Sequence, residues 1–318
     1  ALFVACSPAR FRRMSARDTV TFYLHPKLRR RAENGNHNFL TKISDVLTGA
    51  GLQVGYDNDD TAARLRARAR PGRSLFLMQE PVNARGLTFR KTYVYPFWHI
   101  EKQAARWDWP VAQEPYVALA DDAPKAANFH RFWRQRLFDD ETLEIRRDGF
   151  VYVPLQSQLL RKRSFQTCSP IEMIEAVLRH DTTRQVMVTL HPEETYSAEE
   201  QNALEALMVK HDRLFLQVGE MNRYLKTCDY VVTQNSSAGF MGYFFGKPLI
   251  LFAKSDMHHI ALNVEQMDQK LAFEAIENHK PDYAGYLHWF LQQRAINAGR
   301  PEAKTAIRDV LRGHDWPV

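Results

Sequence analysis

The chain has 318 residues, 45% hydrophobic and 25% charged, which is the balance of a globular protein and excludes a disordered or fibrous one. Its 43 basic and 37 acidic side chains leave a formal charge of +6, and no apolar run approaches the ~20 residues of a membrane-crossing helix. Three widely spaced cysteines, Cys6, Cys168 and Cys228, form neither a disulfide framework nor a zinc site and suit a reducing cytoplasm.

The basic residues cluster early, in "ARFRRMSAR", "KLRRRAENGNH" and "RLRARARPGR", all ending by Arg73. Such a face suits polyanions such as an anionic membrane or an acidic polysaccharide, although a solvated face that keeps the chain soluble has the same composition. No zinc-finger spacing or RNA-binding aromatic motif accompanies the charges, so nucleic acid is not an expected partner. The opening "ALFVACSPARFRRM" lacks a basic leader and a long apolar segment. Residues 1–18 are expected to be a poorly ordered extension, and the protein cytoplasmic, with peripheral contact at the inner membrane.

"TVTFYLHP" (19–26) is β-branched and aromatic and predicts a first strand. The polar "KLRRRAENGNHN" reads as a loop, and "FLTKISDVLTGAG" as a helix stopped by Gly-Ala-Gly. "LQVGYDND" and "SLFLMQE" (74–80) predict two further strands, an alternation that implies a parallel sheet with helices on its faces. The aromatic-rich stretch after residue 81 reads as irregular packing. The helix "APKAANFHRFWRQRLF" follows it, then the linker "DDETLEIRRDG".

From residue 150 strands and helices alternate clearly. "FVYVPLQ", "QVMVTLHP", "LFLQVGE", "DYVVTQN" and "KPLILF" are predicted strands. Between them lie "SPIEMIEAVLRH", capped by Ser169 with Pro170 at its first position, "SAEEQNALEALMVKH", "MNRYLKTC" and "SAGFMGYFFG". Five β-α units in about a hundred residues define a doubly wound domain. Residues 261–318 are expected to be largely helical.

In such a sheet ligands bind at the carboxyl ends of the strands, where loops lead into helix N-termini that favour phosphate. Four polar groups fall there. In "CDYVVTQNSSAGFMGYFFGKPLILF" (228–252) Ser236 and Ser237 offer hydroxyl donors and Gly239 would let a backbone come close, unless Asn235 or Ser236 is only a helix cap. In "VTLHPEE" (188–194) His191 precedes Pro192, which stiffens the turn. Gln156 and Gln158 in "VPLQSQ" (153–158) can read a base or a sugar. Glu220 closes "LFLQVGE".

"PLQSQ", "LHPEE" and the 228–252 stretch resemble the C-terminal half of bacterial capsular-polysaccharide biosynthesis proteins, a group that includes Kdo transferases using a CMP-activated sugar. The His-Pro and Ser-Ser pairs are also similar to motifs of GT-B sialyltransferases. The resemblance covers about residues 150–260. It implies a GT-B-like α/β fold, two Rossmann-type doubly wound domains facing across a cleft. An acceptor-side domain would span 19–149, a nucleotide-sugar domain 150–260, and a helical segment 261–318.

By that resemblance His191, Ser236 and Ser237 contact the donor phosphate, and Glu220 and Gln156 lie near the nucleoside. An anionic glycan or glycolipid acceptor binds the N-terminal domain, and neither metal nor cofactor is needed beyond the CMP-sugar itself. A carboxylate must then take the acceptor hydroxyl proton. Glu80, at the end of the third strand, is the leading candidate. Glu101 in "PFWHIEKQ" and Asp57, Asp59 and Asp60 after the second strand are the others. Asn36 and His37 are candidate acceptor contacts.

The glycine signatures of a dinucleotide fold and of a P-loop are absent from the sequence. "NSSAG" lacks the first glycine of a hydrolase nucleophile elbow. A non-catalytic sugar-nucleotide or glycan-binding subunit of a capsule assembly complex is the alternative that the sequence leaves standing.

Overall fold

A computed structural model describes residues 16–138 and 144–318. The described residues form two six-stranded sheets. In chain order the first strands are β1 (Thr19–Leu24), β2 (Gln53–Asn58), β3 (Arg73–Leu77), β4 (Gly86–Lys91) and β5 (Phe97–Glu101). Then follow β6 (Phe150–Pro154), β7 (Gln185–Leu190), β8 (Leu214–Val218), β9 (Tyr230–Thr233), β10 (Leu249–Leu251), β11 (Leu262–Asn263) and β12 (Ile296–Asn297).

The chain divides into two compact units, one running to Ala104 and resumed by Ile296–Val318, the other Ala105–Ala295. The boundary thus falls at Ala104, well before the expected 149/150. The expected C-terminal segment is split between the units. Of the expected extension 1–18, residues 1–15 lie outside the described residues, as do 139–143 of the linker, and Ala16–Asp18 form a 3-10 turn.

In the first unit the strand order is β12-β5-β4-β3-β1-β2. β1 to β4 run parallel, while β5 and β12 are antiparallel to their neighbours. The helix Asn38–Gly49 buries Phe39, Leu40, Ile43, Val46 and Leu47, the i, i+3, i+4 stripe that an amphipathic helix lays on a core. Phe39 stacks on Trp98 at 4.6 Å. Each such side chain contributes roughly 1.5–3 kcal/mol by leaving water. Ile307, Leu311 and Trp316 from the end of the chain join this core.

Two expectations fail in this unit. The predicted loop after β1 is a helix, Pro26–Glu33, because His25 caps it, proline occupies its first position, and Lys and Arg are good helix formers. The stretch after residue 81 contains β4 and β5, which are buried at four successive positions each, 86–89 and 97–100, and so carry no alternation that would set them apart from the surrounding aromatics.

In the second unit all strand pairs are parallel, in the order β11-β10-β9-β6-β7-β8. Counted from β6, this is the 6-5-4-1-2-3 order of a doubly wound nucleotide-binding sheet, whose direction of winding switches between β6 and β9. Every residue of β9 and β10 is buried, as in a parallel sheet covered on both faces. Ser169 and Ser197 close capping boxes with Glu172 and Glu200 at the starts of the helices Pro170–His180 and Ala198–Lys210. The rest of the unit includes the fifteen-residue helix Ala123–Leu137 and the shorter Gln269–Ala275, Tyr283–Leu287 and a π-helical His288–Gln293.

Candidate functional site at the carboxyl edge of the second sheet

Because the second sheet is wholly parallel, the loops after β6, β7, β8, β9 and β10 emerge on one edge. Strand order arranges them as the β10 loop, Gln234–Ser237 after β9, Leu155–Gln158 after β6, His191 after β7 and Glu220 after β8. The edge therefore gathers residues up to a hundred positions apart.

The Gln234–Ser236 turn is buried, and Ser237 is exposed at the start of the helix Ser237–Gly242. Ser236 caps that helix, its Oγ accepting the Ala238 N–H at 3.3 Å. Asn235 Nδ2 donates to the Lys254 carbonyl at 3.3 Å, and the Asn235 carbonyl accepts from Arg106 Nη2 at 3.4 Å. Capping and loop anchoring thus occupy Ser236 and Asn235, while Ser237 faces solvent. A Cβ on Gly239 would lie 3.0 Å from Leu249 Cδ1 and 3.2 Å from Thr233 Cγ2. The glycine lets the helix sit close on β9 and β10.

At the switch point a small pocket is lined by Leu155, Gln156, Arg163, Thr233 and Gln234. Gln234 is only 5% exposed; its Nε2 donates to the Cys168 carbonyl at 3.0 Å, and its Oε1 has no partner. Arg163 Nε is also buried without a partner. Burial lowers the Arg163 pKa, against the opposing pull of the Glu194 carboxylate. Its guanidinium lies 4.9 Å from the Phe165 ring. Buried polar atoms without partners are rare, and here an acceptor and a donor line one pocket. Neither residue is among those expected from the sequence, although Gln234 sits directly after a predicted strand. Gln158, exposed with φ 67°, does not line this pocket.

His191 is exposed. Its N–H donates to Tyr196 Oη at 2.9 Å, and its Nδ1 accepts the Glu193 N–H at 3.2 Å. That bond places the proton of the neutral ring on Nε2, leaving Nε2 as a donor. β7 and β9 are separated by β6, so the His191 and Ser236 backbones emerge about two strand spacings, roughly 10 Å, apart. Glu220 is exposed, left-handed at φ 57°, and follows the edge strand β8.

The first unit treats its candidates differently. His37 caps the helix Asn38–Gly49 through Nδ1, which accepts the Leu40 N–H at 3.3 Å, and its pKa is lowered by burial and by Arg31. Asn36 is bonded to Arg31 through its backbone at both N–H and carbonyl. Glu80 lies beyond β3 in the crossover, where Pro81 already abuts Gly86 at the start of β4. Its carboxylate accepts the Ala104 N–H at 2.8 Å. Glu101 ends an antiparallel strand, opposite Thr88, which puts it at the amino-terminal edge of β1 to β4 beside His99 and His314. Neither glutamate lies at the carboxyl end of a parallel strand, the position for which Glu80 was the leading candidate.

The aspartates are also engaged. Burial would raise the Asp57 pKa, but the Asn58 N–H and the guanidinium groups of Arg66 and Arg70 hold it below the ordinary value. Asp59 pairs with Arg64 at 2.6 Å, and Asp60 caps the helix Thr61–Ala69. Asp57 and Asp59 have the spacing of a metal-binding pair, yet guanidinium groups occupy both. Among the described residues no cluster of three or more His, Cys, Asp or Glu could hold a metal, and no helix is long and apolar enough to cross a membrane.

A residue missed in the sequence is His25. With Pro26 it repeats the His191-Pro192 pair at the end of β1, and its Nδ1 accepts the Leu28 N–H at 3.3 Å as that of His191 accepts from Glu193. The signal, "LHP" occurring twice, was present.

A doubly wound parallel sheet with unpartnered polar groups at its switch point defines the class, an α/β protein with a nucleotide-binding type of sheet. The family of capsule polysaccharide biosynthesis proteins matches residues 114–291, more than half of the chain, and the protein belongs to that family. No curated protein matches the sequence. Among solved structures, Thermosulfurimonas dismutans KpsC, a beta Kdo 2,7 transferase, is similar over 94% of this chain and 100% of its own, at 12% identity and a TM-score of 0.51. The wall teichoic acid polymerase TagF aligns over 94% of this chain and 89% of its own, at 9% identity and a TM-score of 0.28. The likeness to KpsC is one of fold.

Proposed function

We propose that the protein is a GT-B glycosyltransferase. It moves a Kdo- or sialic-acid-like sugar from a CMP-activated donor to an anionic glycan or glycolipid acceptor in surface polysaccharide synthesis. The observation that carries this reading is the pocket between β6 and β9, where Gln234 Oε1 and Arg163 Nε are buried without partners beside Gln156. Family membership and the fold shared with KpsC support it.

In this reading the nucleoside is read by Gln156, Gln234 and Arg163, and the phosphate lies over Ser237 and the start of its helix. CMP leaves readily once the charge growing on its phosphate meets fixed donors, which need no reorganisation. His191 Nε2–H and the Ser237 hydroxyl are such donors, and no metal is required of them. The first unit takes the acceptor. The exposed Lys27, Arg30, Arg31 and Arg68 on its two basic helices suit an anionic membrane surface.

A non-catalytic sugar-nucleotide-binding subunit is the second reading, favoured by one observation. Each carboxylate weighed as the base is engaged or lies at the wrong edge. Thermal melting tests the donor. CMP at a hundred times its dissociation constant adds about 2.7 kcal/mol of stability, whereas NAD and UDP leave the melting temperature unchanged. A shift with UDP or NAD and none with CMP overturns the assignment. CMP binding without transfer to any acceptor favours the second reading.

A further inference from the structure

The carboxyl edge continues past the Ser236 loop to a larger cavity that the sequence reading did not touch. It measures about 360 Å³ and is lined by Trp107, Gln113, Lys254, Ser255, His258 and Asn263 among others. That is within the roughly 300–1,000 Å³ of small-molecule sites. The lining comes from the segment after β10, from β11, and from the 3-10 turn Arg106–Asp108 with the short helix Pro110–Gln113. All of it belongs to the second unit.

Its polar atoms are held in defined states. His258 Nδ1 lies 2.7 Å from the Ser255 carbonyl. A carbonyl only accepts, so Nδ1 carries the proton and the neutral ring offers Nε2 as an acceptor. Gln113 Nε2 donates to the Trp107 carbonyl at 2.7 Å, which leaves Oε1 to accept. The Ser255 Oγ accepts the Met257 N–H at 3.3 Å and keeps its own proton to give. Lys254 is the cation here, 3.5 Å from Glu265, and Asp108 and Glu265 are the carboxylates of the lining. The Trp107 ring is fixed by stacking on Phe165 at 5.2 Å. A ring face beside acceptors, a hydroxyl donor and a cation suits a pyranose, which offers C–H faces, hydroxyls and, in an acidic sugar, a carboxylate.

Position decides which sugar. β10 is the immediate neighbour of β9, on the side away from β6. Asn235 ties the serine turn to the Lys254 carbonyl, and Arg106 binds both the Asn235 carbonyl and Asp256. Along the edge the order is cavity, serine turn, switch-point pocket. A sugar–phosphate–nucleoside has the same order of parts.

We propose that this cavity holds the glycosyl unit of the nucleotide-sugar donor, an acidic pyranose. The proposal deepens the glycosyltransferase reading and rests on it. It assigns Gln113, Ser255 and His258 to the sugar's hydroxyls, Trp107 to its ring face and Lys254 to its carboxylate.

Calorimetric titration of the full chain with CMP, CMP-N-acetylneuraminic acid and CMP-Kdo tests it, on the wild type and on the variants Gln113→Ala and His258→Phe, with melting curves to confirm folding. CMP affinity stays within about twofold in both variants, while affinity for the better CMP-sugar falls about tenfold, the loss of one good hydrogen bond. Equal affinity for that CMP-sugar in wild type and both variants, with CMP still bound, overturns the cavity assignment and leaves the donor reading intact. A wild type that binds neither CMP nor either CMP-sugar overturns both.

Discussion

Arg106 Nη1 and Asp256 Oδ1 meet at 3.2 Å, with the two residues 8% and 1% exposed. The pair joins the 3-10 turn that opens the second unit to the segment after β10, and Arg106 also holds the Asn235 carbonyl. Removing one member takes from a buried charge its ion-pair partner, which costs about 3–5 kcal/mol. Arg106→Ala and Asp256→Ala should each lower stability by that much, and the double variant by less than the sum. Urea denaturation of the three proteins checks this, and additive losses would show that the pair is not coupled.

Ser236 and Ser237 are separated by burial. Ser236→Ala removes a cap and should cost about 1 kcal/mol of stability. Ser237→Ala, at an exposed position, should leave stability within ~0.5 kcal/mol and still weaken CMP binding. Paired melting and calorimetry decide it. Unchanged CMP affinity in Ser237→Ala would remove that hydroxyl from the phosphate site.

Glu80→Gln and Glu101→Gln should both keep transfer activity, short of the ~10²-fold loss that follows removal of a positioned base. Glu80 serves the Ala104 N–H and Glu101 lies at the amino-terminal edge. A loss of that size in either variant, with CMP affinity intact, would restore it as the base.

His191 is exposed and bonded only within its own turn. His191→Ala should therefore change stability by less than ~0.5 kcal/mol while slowing both acceptor transfer and hydrolysis of the CMP-sugar. Steady-state rates on the two reactions provide the check. Undiminished rates would place the phosphate donors elsewhere.

His259 gives a pH dependence with a definite sign. Burial first, then neighbouring His258, depress its pKa to about 4, against Asp256 and the Val111 and Glu114 carbonyls that its Nε2–H reaches at 3.0 and 3.1 Å. The unfolded chain titrates near 6.5, so it takes up the proton first as the pH falls. Stability is thus full above pH ~6.5 and declines towards pH ~4, by on the order of 3 kcal/mol for this group. Denaturation midpoints at a series of pH values should show a shallower decline in His259→Gln than in the wild type.

The sequence by itself determined five of the six strands of the second sheet, all but β11, which lies in the segment expected to be helical. Its strands are short apolar runs and its helices begin at Ser169-Pro170 and Ser197, signals that are local because a parallel strand is buried on both faces and a cap bonds three residues ahead. It also determined that His191, Glu220, Ser237 and Gln156 share one edge, since each directly follows a predicted strand.

Only the tertiary structure decided the rest. That Gly239 lets its helix pack closely, with Leu249 3.0 Å from the missing Cβ, is not legible in "SSAGF". Glu101 lies in a segment that reads as irregular packing, and only the antiparallel pairing of β5 with β4 puts it at the amino-terminal edge, a property of pairing that its own residues do not carry. Gln234 and Arg163 lie 71 positions apart in the sequence and become a pocket only where β6 and β9 pair. The last 23 residues, Ile296–Val318, return to the first unit because Ile296 pairs with Trp98 and Ile307, Leu311 and Trp316 complete its core. Hydrophobic burial has no direction along the chain, and an apolar stripe is satisfied by whichever uncovered face the fold brings to it.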